Sequence, residues 1–177
     1  MSRVEPVSLG ASQIDRGTDP EIAKVLGKFY DAFSALDAKT MASMYHEKAS
    51  FTDPAFPDLR GERIGMMWAM LCRRAKNFSL TYKILFADER KAQVEWQANY
   101  LYGGKRKVEN HNLSTISLWD GLIVRQVDEF DFPRWAKQAL GLPGLLAGNT
   151  EWLRRKVQVT AKDQLDQFII KHYNDEN

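Results

Sequence analysis

Three side chains in this sequence could move protons: Asp53, His111 and Asp128. Asp53 ends the run AFSALDAKTMASMYHEKASFTDP and is followed by Pro54, which lacks the amide a central strand needs and holds the residue before it extended. Its carboxylate is therefore expected at a sheet margin, although Asp-Pro is also an ordinary turn starter. Side chains alternate along a strand. If Thr115 faces an interior, so do Leu113 and His111; if Phe130 faces it, so do Asp128 and Gln126. The three groups then converge in a cavity walled by Phe29, Phe33, Tyr45, Trp68 and Trp96. A carboxylate out of water has a raised pKa and imidazole donates near neutrality, a set suited to proton transfer at carbon beside a carbonyl. The alternatives are structural. Asp128 can join Arg125 or Gln126 in a polar network at the sheet edge, His111 can satisfy a backbone group, and Trp68 and Trp96 can be plain core. His46, His111 and His172 are scattered, and His46-Glu47 lacks a second histidine four residues on, so no metal or cofactor is expected.

Helices and strands must position these groups. Thr18-Asp19-Pro20-Glu21 is a helix start, with a capping side chain, proline in the first turn and an acid at the positive end. Ile22, Val25, Leu26, Phe29, Phe33 and Leu36 then recur on one helical face. Asp37 caps a second helix, predicted over 38–46, with Met41, Met44 and Tyr45 as its apolar side. A short strand over 49–52, a stiff loop over 54–57 and a third helix over 62–74 follow. From Asn77 the period becomes two. Long strands end at the Asp88-Glu89-Arg90 turn, at Gly103-Gly104, at Asp120-Gly121, a strong hairpin signal, and near Phe130. Beyond Pro133 a short helix runs to Gly141, an apolar, breaker-rich stretch over 142–148 reads as a loop, either a lid or a linker packed over the core, and a last helix covers 151–173.

The chain has 177 residues, 44% apolar and 27% charged, with net charge +2. That is one domain with a sizeable core, and no electrostatic case for nucleic acid. The lone Cys72 excludes an intrachain disulfide. No apolar run suits a signal peptide or a membrane span, so a cytoplasmic location and no membrane partner are expected. The expected organisation is a flexible N-terminus (1–17), a domain over 18–141, and a loop with a terminal helix over 142–177.

Three helices followed by a long four-stranded meander resemble the cone-shaped α+β fold of the nuclear transport factor 2-like superfamily, also called cystatin-like. There three N-terminal helices pack on a curved antiparallel sheet, and here a C-terminal helical extension is added. Ala32, Ala35, Asp37, Ala49, Asp53 and Pro54 lie on identical residues of ketosteroid isomerases without a gap, and Gly61 matches the glycine opening the third helix. Asp120-Gly121, the run from Val127 to Asp131 and the helix from Trp135 to Leu140 look like the SnoaL-like branch, which includes polyketide cyclases. The resemblance implies that Asp53 is a general base, that Asp128 acts as acid or base with His111 nearby, and that a homodimer forms through the outer sheet face. It also implies which donors are missing: Phe29 stands at the oxyanion tyrosine and Thr115 at the protonated aspartic acid, while Tyr30 is turned by about 100 degrees. Steroid isomerisation through those donors is not carried over. The implied function is a cofactor-free isomerase, cyclase or hydrolase acting on an apolar carbonyl or epoxide, with a non-catalytic ligand-binding or dimerisation module as the alternative.

Overall fold

Asp19 accepts hydrogen bonds from the amides of Glu21 and Ile22, and Pro20 occupies the first turn, so α1 (Pro20–Ser34) starts where its caps dictate. The computed structural model describes residues 18–175, and the expected flexible N-terminus lies outside them. The Asp19 amide also donates to the Ala87 carbonyl, fastening the helix to the end of a strand. Asp37 caps α2 (Ala38–Ser43) through both carboxylate oxygens, to the Thr40 amide at 3.0 Å and its hydroxyl at 2.6 Å.

α2 is shorter than predicted, because β1 (Tyr45–Thr52) takes over the residues after Met44. Pairing with a neighbouring strand outweighs the local helical pattern there. β2 (Leu59–Arg60), which the pattern did not indicate, pairs antiparallel with β1. Gly61 then opens α3 (Glu62–Arg74) at φ +54 and ψ −133, and a Cβ there would lie 3.0 Å from the Glu47 carbonyl oxygen. Only glycine sits there without strain.

The remaining strands are β3 (Ser79–Ala87), β4 (Lys91–Tyr102), β5 (Arg106–Trp119) and β6 (Leu122–Phe130). The sheet order is β2-β1-β6-β5-β4-β3, antiparallel except where β1 runs parallel to β6. Asp120 and Gly121 both have positive φ, the conformation a two-residue hairpin requires. Helices α1 to α3 fill the concave side, giving the mixed α and β architecture with a curved open sheet that the sequence led us to expect.

Three further helices follow: α4 (Phe132–Leu140), α5 (Leu142–Ala147) and α6 (Glu151–Asp175). α5 replaces the predicted loop. Its glycine is what permits it, since a Cβ on Gly144 would meet the Ala136 carbonyl oxygen of α4 at 1.9 Å. The two helices lie backbone against backbone. The core has two parts. The larger is led by Phe29, Tyr30, Phe51, Met67 and Ile116 and includes Leu165 of α6. The smaller gathers Val108, Phe132, Trp135 and Leu153.

A candidate acid and base site inside the cone

Among the described residues the buried polar side chains are Asn112, Ser114, Gln126 and Asp128, all on β5 and β6. Asp128 is 3% exposed. Its Oδ1 accepts from the Ser114 hydroxyl at 2.5 Å, and the Gln126 amide nitrogen donates to both of its oxygens, at 2.9 and 3.1 Å. Neutral groups thus supply these bonds. Two tryptophans end on the same network. The Trp96 indole donates to Ser114 at 2.8 Å, and the Trp68 indole to the Tyr45 hydroxyl at 3.0 Å, which in turn donates to Gln126 at 2.5 Å. Burial pushes the Asp128 carboxyl up to about 7, with the Ser114 and Gln126 hydrogen bonds opposing and the Asp53 charge adding to the rise.

Asp53 lies one step beyond the Thr52–Val127 pair of the parallel ladder, so it comes out alongside Asp128. It is partly buried, and its Oδ1 accepts from the amides of Ala55 at 2.7 Å and Phe56 at 2.5 Å. The turn reading of Asp-Pro therefore describes its backbone. Burial nonetheless raises its carboxyl to about 6, against those two hydrogen bonds. The turn reading thus holds at this residue, while its carboxyl is still partly withdrawn from water.

Tyr30 is the residue that sequence reasoning missed. It is fully buried, and its hydroxyl makes no hydrogen bond of full geometry, although the Ser114 side chain is close enough to lower its pKa by hydrogen bonding. Burial first, then the Asp128 charge, raise the phenol well above its usual value. The helical angle that set Tyr30 aside overlooked how wide the buried face of α1 is: Leu26, Phe29, Tyr30 and Phe33 are all inside. Its ring stacks on Tyr82 at 5.1 Å.

The expected position of His111 is corrected. Its side chain is 54% exposed and bonds Glu109, which also pairs with Arg134, on the outer face of the sheet. Leu113 and Thr115 share that strand phase and do not join the interior set. Relative to Asp128 the cause is a register shift opposite Ser117 and Leu118, where Val124 of β6 has no partner on β5. Trp119 pairs with Leu122, and an unbroken hairpin from there would set Leu113 against Asp128 and Thr115 against Gln126. The irregularity sets Ser114 against Asp128 and Ile116 against Gln126 instead. One extra residue exchanges the faces of everything beyond it.

The other expected wall residues are inside. Phe29, Phe33 and Trp68 are buried, Tyr45, Trp96 and Phe130 are partly buried, and Gln126 belongs to the network. The rings interlock, with Phe33 4.9 Å from Trp68 and 5.4 Å from Trp96. Among the described residues no group of three His, Cys, Asp or Glu is placed to hold a metal ion.

The family description "SnoaL-like domain" matches residues 26–126. No match to the chain is found among curated proteins. A proposed polyketide cyclase from Silicibacter sp. TM1040 is similar in structure, with TM-score 0.59 and 22% identity over 66% of this chain and 93% of that one. An LEH-like epoxide hydrolase of M. tuberculosis gives 0.56 and 22% over 72% and 93%. A protein of ketosteroid isomerase-like fold from Catenulispora acidiphila DSM 44928, in complex with trimethylamine, gives 0.59 and 18% over 72% and 97%. At these identities the likeness is one of fold.

Proposed function

The chain belongs to the SnoaL-like domain family, and from that premise we propose that it is a cofactor-free acid/base enzyme acting on an apolar carbonyl or epoxide. The observation that carries this reading is the buried polar set around Asp128, in which Ser114 and Gln126 donate to the carboxylate and the Tyr30 hydroxyl lies within reach of its charge. A buried carboxyl with a raised pKa beside a phenol is a candidate for acid and base work.

In this reading Asp128, raised to about 7, takes a proton from carbon next to the carbonyl and returns it to another position. Tyr30 donates to the oxygen on which negative charge develops, the role that Phe29 cannot fill. Asp53, raised to about 6, is the second acid or base, placed by its own turn. With an epoxide the same groups divide differently: one carboxylate activates water and the other acid protonates the opening oxygen. The tryptophan-linked hydrogen bonds on Ser114 and Gln126 keep Asp128 aimed. His111 has no part in it.

The test is turnover on a panel of apolar ketones and epoxides. Asp128→Asn should lower kcat by about 10²–10⁴-fold, the usual share of a general acid or base, and Tyr30→Phe by about 10²-fold or more. His111→Ala should leave it unchanged. Unchanged turnover in both Asp128→Asn and Asp53→Asn sinks the mechanism. The second reading, a non-catalytic binding module, is favoured by the interlocked Phe33, Trp68 and Trp96 rings. It predicts ligand binding that Tyr30→Phe weakens, with no turnover in any variant.

A further inference from the structure

The extension beyond the family match carries an exposed apolar surface that the interior chemistry does not use. Leu142, Leu145, Leu146 and Trp152 stand 54–83% exposed within eleven positions of one another. Their orientation is built in. Gly144 presses α5 onto the α4 backbone, where a Cβ would meet the Ala136 oxygen at 1.9 Å, and Gly148 is buried beside Pro133. With Gly144 inward and Gly148 buried just past its end, a six-residue helix of sequence LPGLLA turns its leucines out. Exposures this high belong to side chains that project rather than line a groove. Clustered large apolar residues on a surface mark a contact with something.

The charge around them says what kind. Residues 137–156 hold four basic residues, Lys137, Arg154, Arg155 and Lys156, against one acid, Glu151, which pairs with Arg155 at 3.2 Å on the exposed surface. Their net charge of +3 exceeds the +2 of the whole chain. The Lys156 ammonium lies 5.2 Å over the Trp152 ring, which holds a cation beside the aromatic side chain. Projecting leucines, an amphipathic tryptophan and a basic surround are the chemistry of an element that lies in an anionic bilayer interface. Among the described residues no helix is long and apolar enough to cross a membrane, so contact of this kind is peripheral.

We propose that α5 and the first turn of α6 dock on an anionic phospholipid surface, with Leu142, Leu145, Leu146 and Trp152 entering the interface and Arg155 and Lys156 meeting the headgroups. This departs from the expectation of no membrane partner and is independent of the reaction inside the cone. The test is sedimentation of the full chain with vesicles of phosphatidylcholine alone, or with a third replaced by phosphatidylglycerol, at low and high salt. The expected result is binding to the anionic vesicles that falls at least about tenfold on neutral ones or in high salt. The doubly substituted Leu145→Glu, Leu146→Glu chain should lose binding by a similar factor while melting like the wild type. Arg155→Glu with Lys156→Glu should do the same. Equal binding to both vesicle types, binding that survives the leucine substitutions, or a halving of the solution mass by those substitutions would overturn the proposal. The last outcome would make a second copy of this chain the occupant.

Discussion

Replacing Asp128 with asparagine isolates what it costs this fold to bury a charge. The carboxyl is carried from an ordinary 3.8 to about 7, mainly by desolvation, with no cation in its hydrogen-bond set. Because the folded value is the higher one, folding favours the protonated acid. That contribution is complete below about pH 4 and is lost as pH rises through 7. The loss is on the order of 4 kcal/mol for a group so fully enclosed. Asp53 pulls in the same direction, up to about 6. The lowered carboxyls, Asp37, Asp88, Glu109 and Asp166, act oppositely but below this window. The expected outcome is that Asp128→Asn melts higher than the wild type at pH 8 and that the gap shrinks towards pH 5. A gap independent of pH would mean that Asp128 is not titrating in the folded protein. At this scale the sequence was informative about residue type and silent about partners. Asp53 and Asp128 stand out by residue type alone, whereas Tyr30 sits one helical step from the expected donor position and His111 lies on the outward phase of its strand.

The elements were legible wherever a local rule governs them. Asp19-Pro20, Asp37, Gly61 and Asp120-Gly121 act within a few residues of themselves, and α1, the start of α2, α3 and the β5–β6 hairpin begin or turn at those points. Gly61 allows a check. Gly61→Ala puts a Cβ against the Glu47 carbonyl in a backbone conformation that side chains avoid, and should cost about 1–3 kcal/mol. In a chain of this size that is a fall in Tm of roughly 2–12 °C, read by thermal melting. An unchanged Tm would mean that the loop before α3 has another conformation open to it. Where partners across space decide, local pattern gave way: the end of α2 became β1, and an apolar stretch with proline and two glycines became α5.

Across the whole molecule, α6 ties the extension to the cone. Leu165 is fully buried in the larger core, Arg63 and Lys162 both hold Asp166, and Gln158 donates to the Pro54 carbonyl beside Asp53. Leu165→Ala should therefore destabilise by about 2–5 kcal/mol in denaturant unfolding, as for other buried leucines. A loss below about 1 kcal/mol would show that the helix is an appendage rather than part of the core. The Gln158 contact places this helix over the loop that carries one of the two carboxyls, so the extension and the candidate site are mechanically joined.

By itself the sequence determined most of the helices and strands, the Asp120-Gly121 hairpin turn and the family likeness, because caps, breakers and hydrophobic period act through neighbouring residues. Which face of β5 looks inward was decided only in three dimensions. Both phases of that strand mix polar and apolar residues, from Glu109, His111, Leu113 and Thr115 on one side to Asn110, Asn112, Ser114 and Ile116 on the other. The phase of β6 against it is set by a single extra residue, Val124, which slides the pairing by one. That slide brings Ser114 rather than His111 to the acid site, and the breadth of the buried face of α1 turns Tyr30 towards it. Neither choice is local, so no window of the chain contains it.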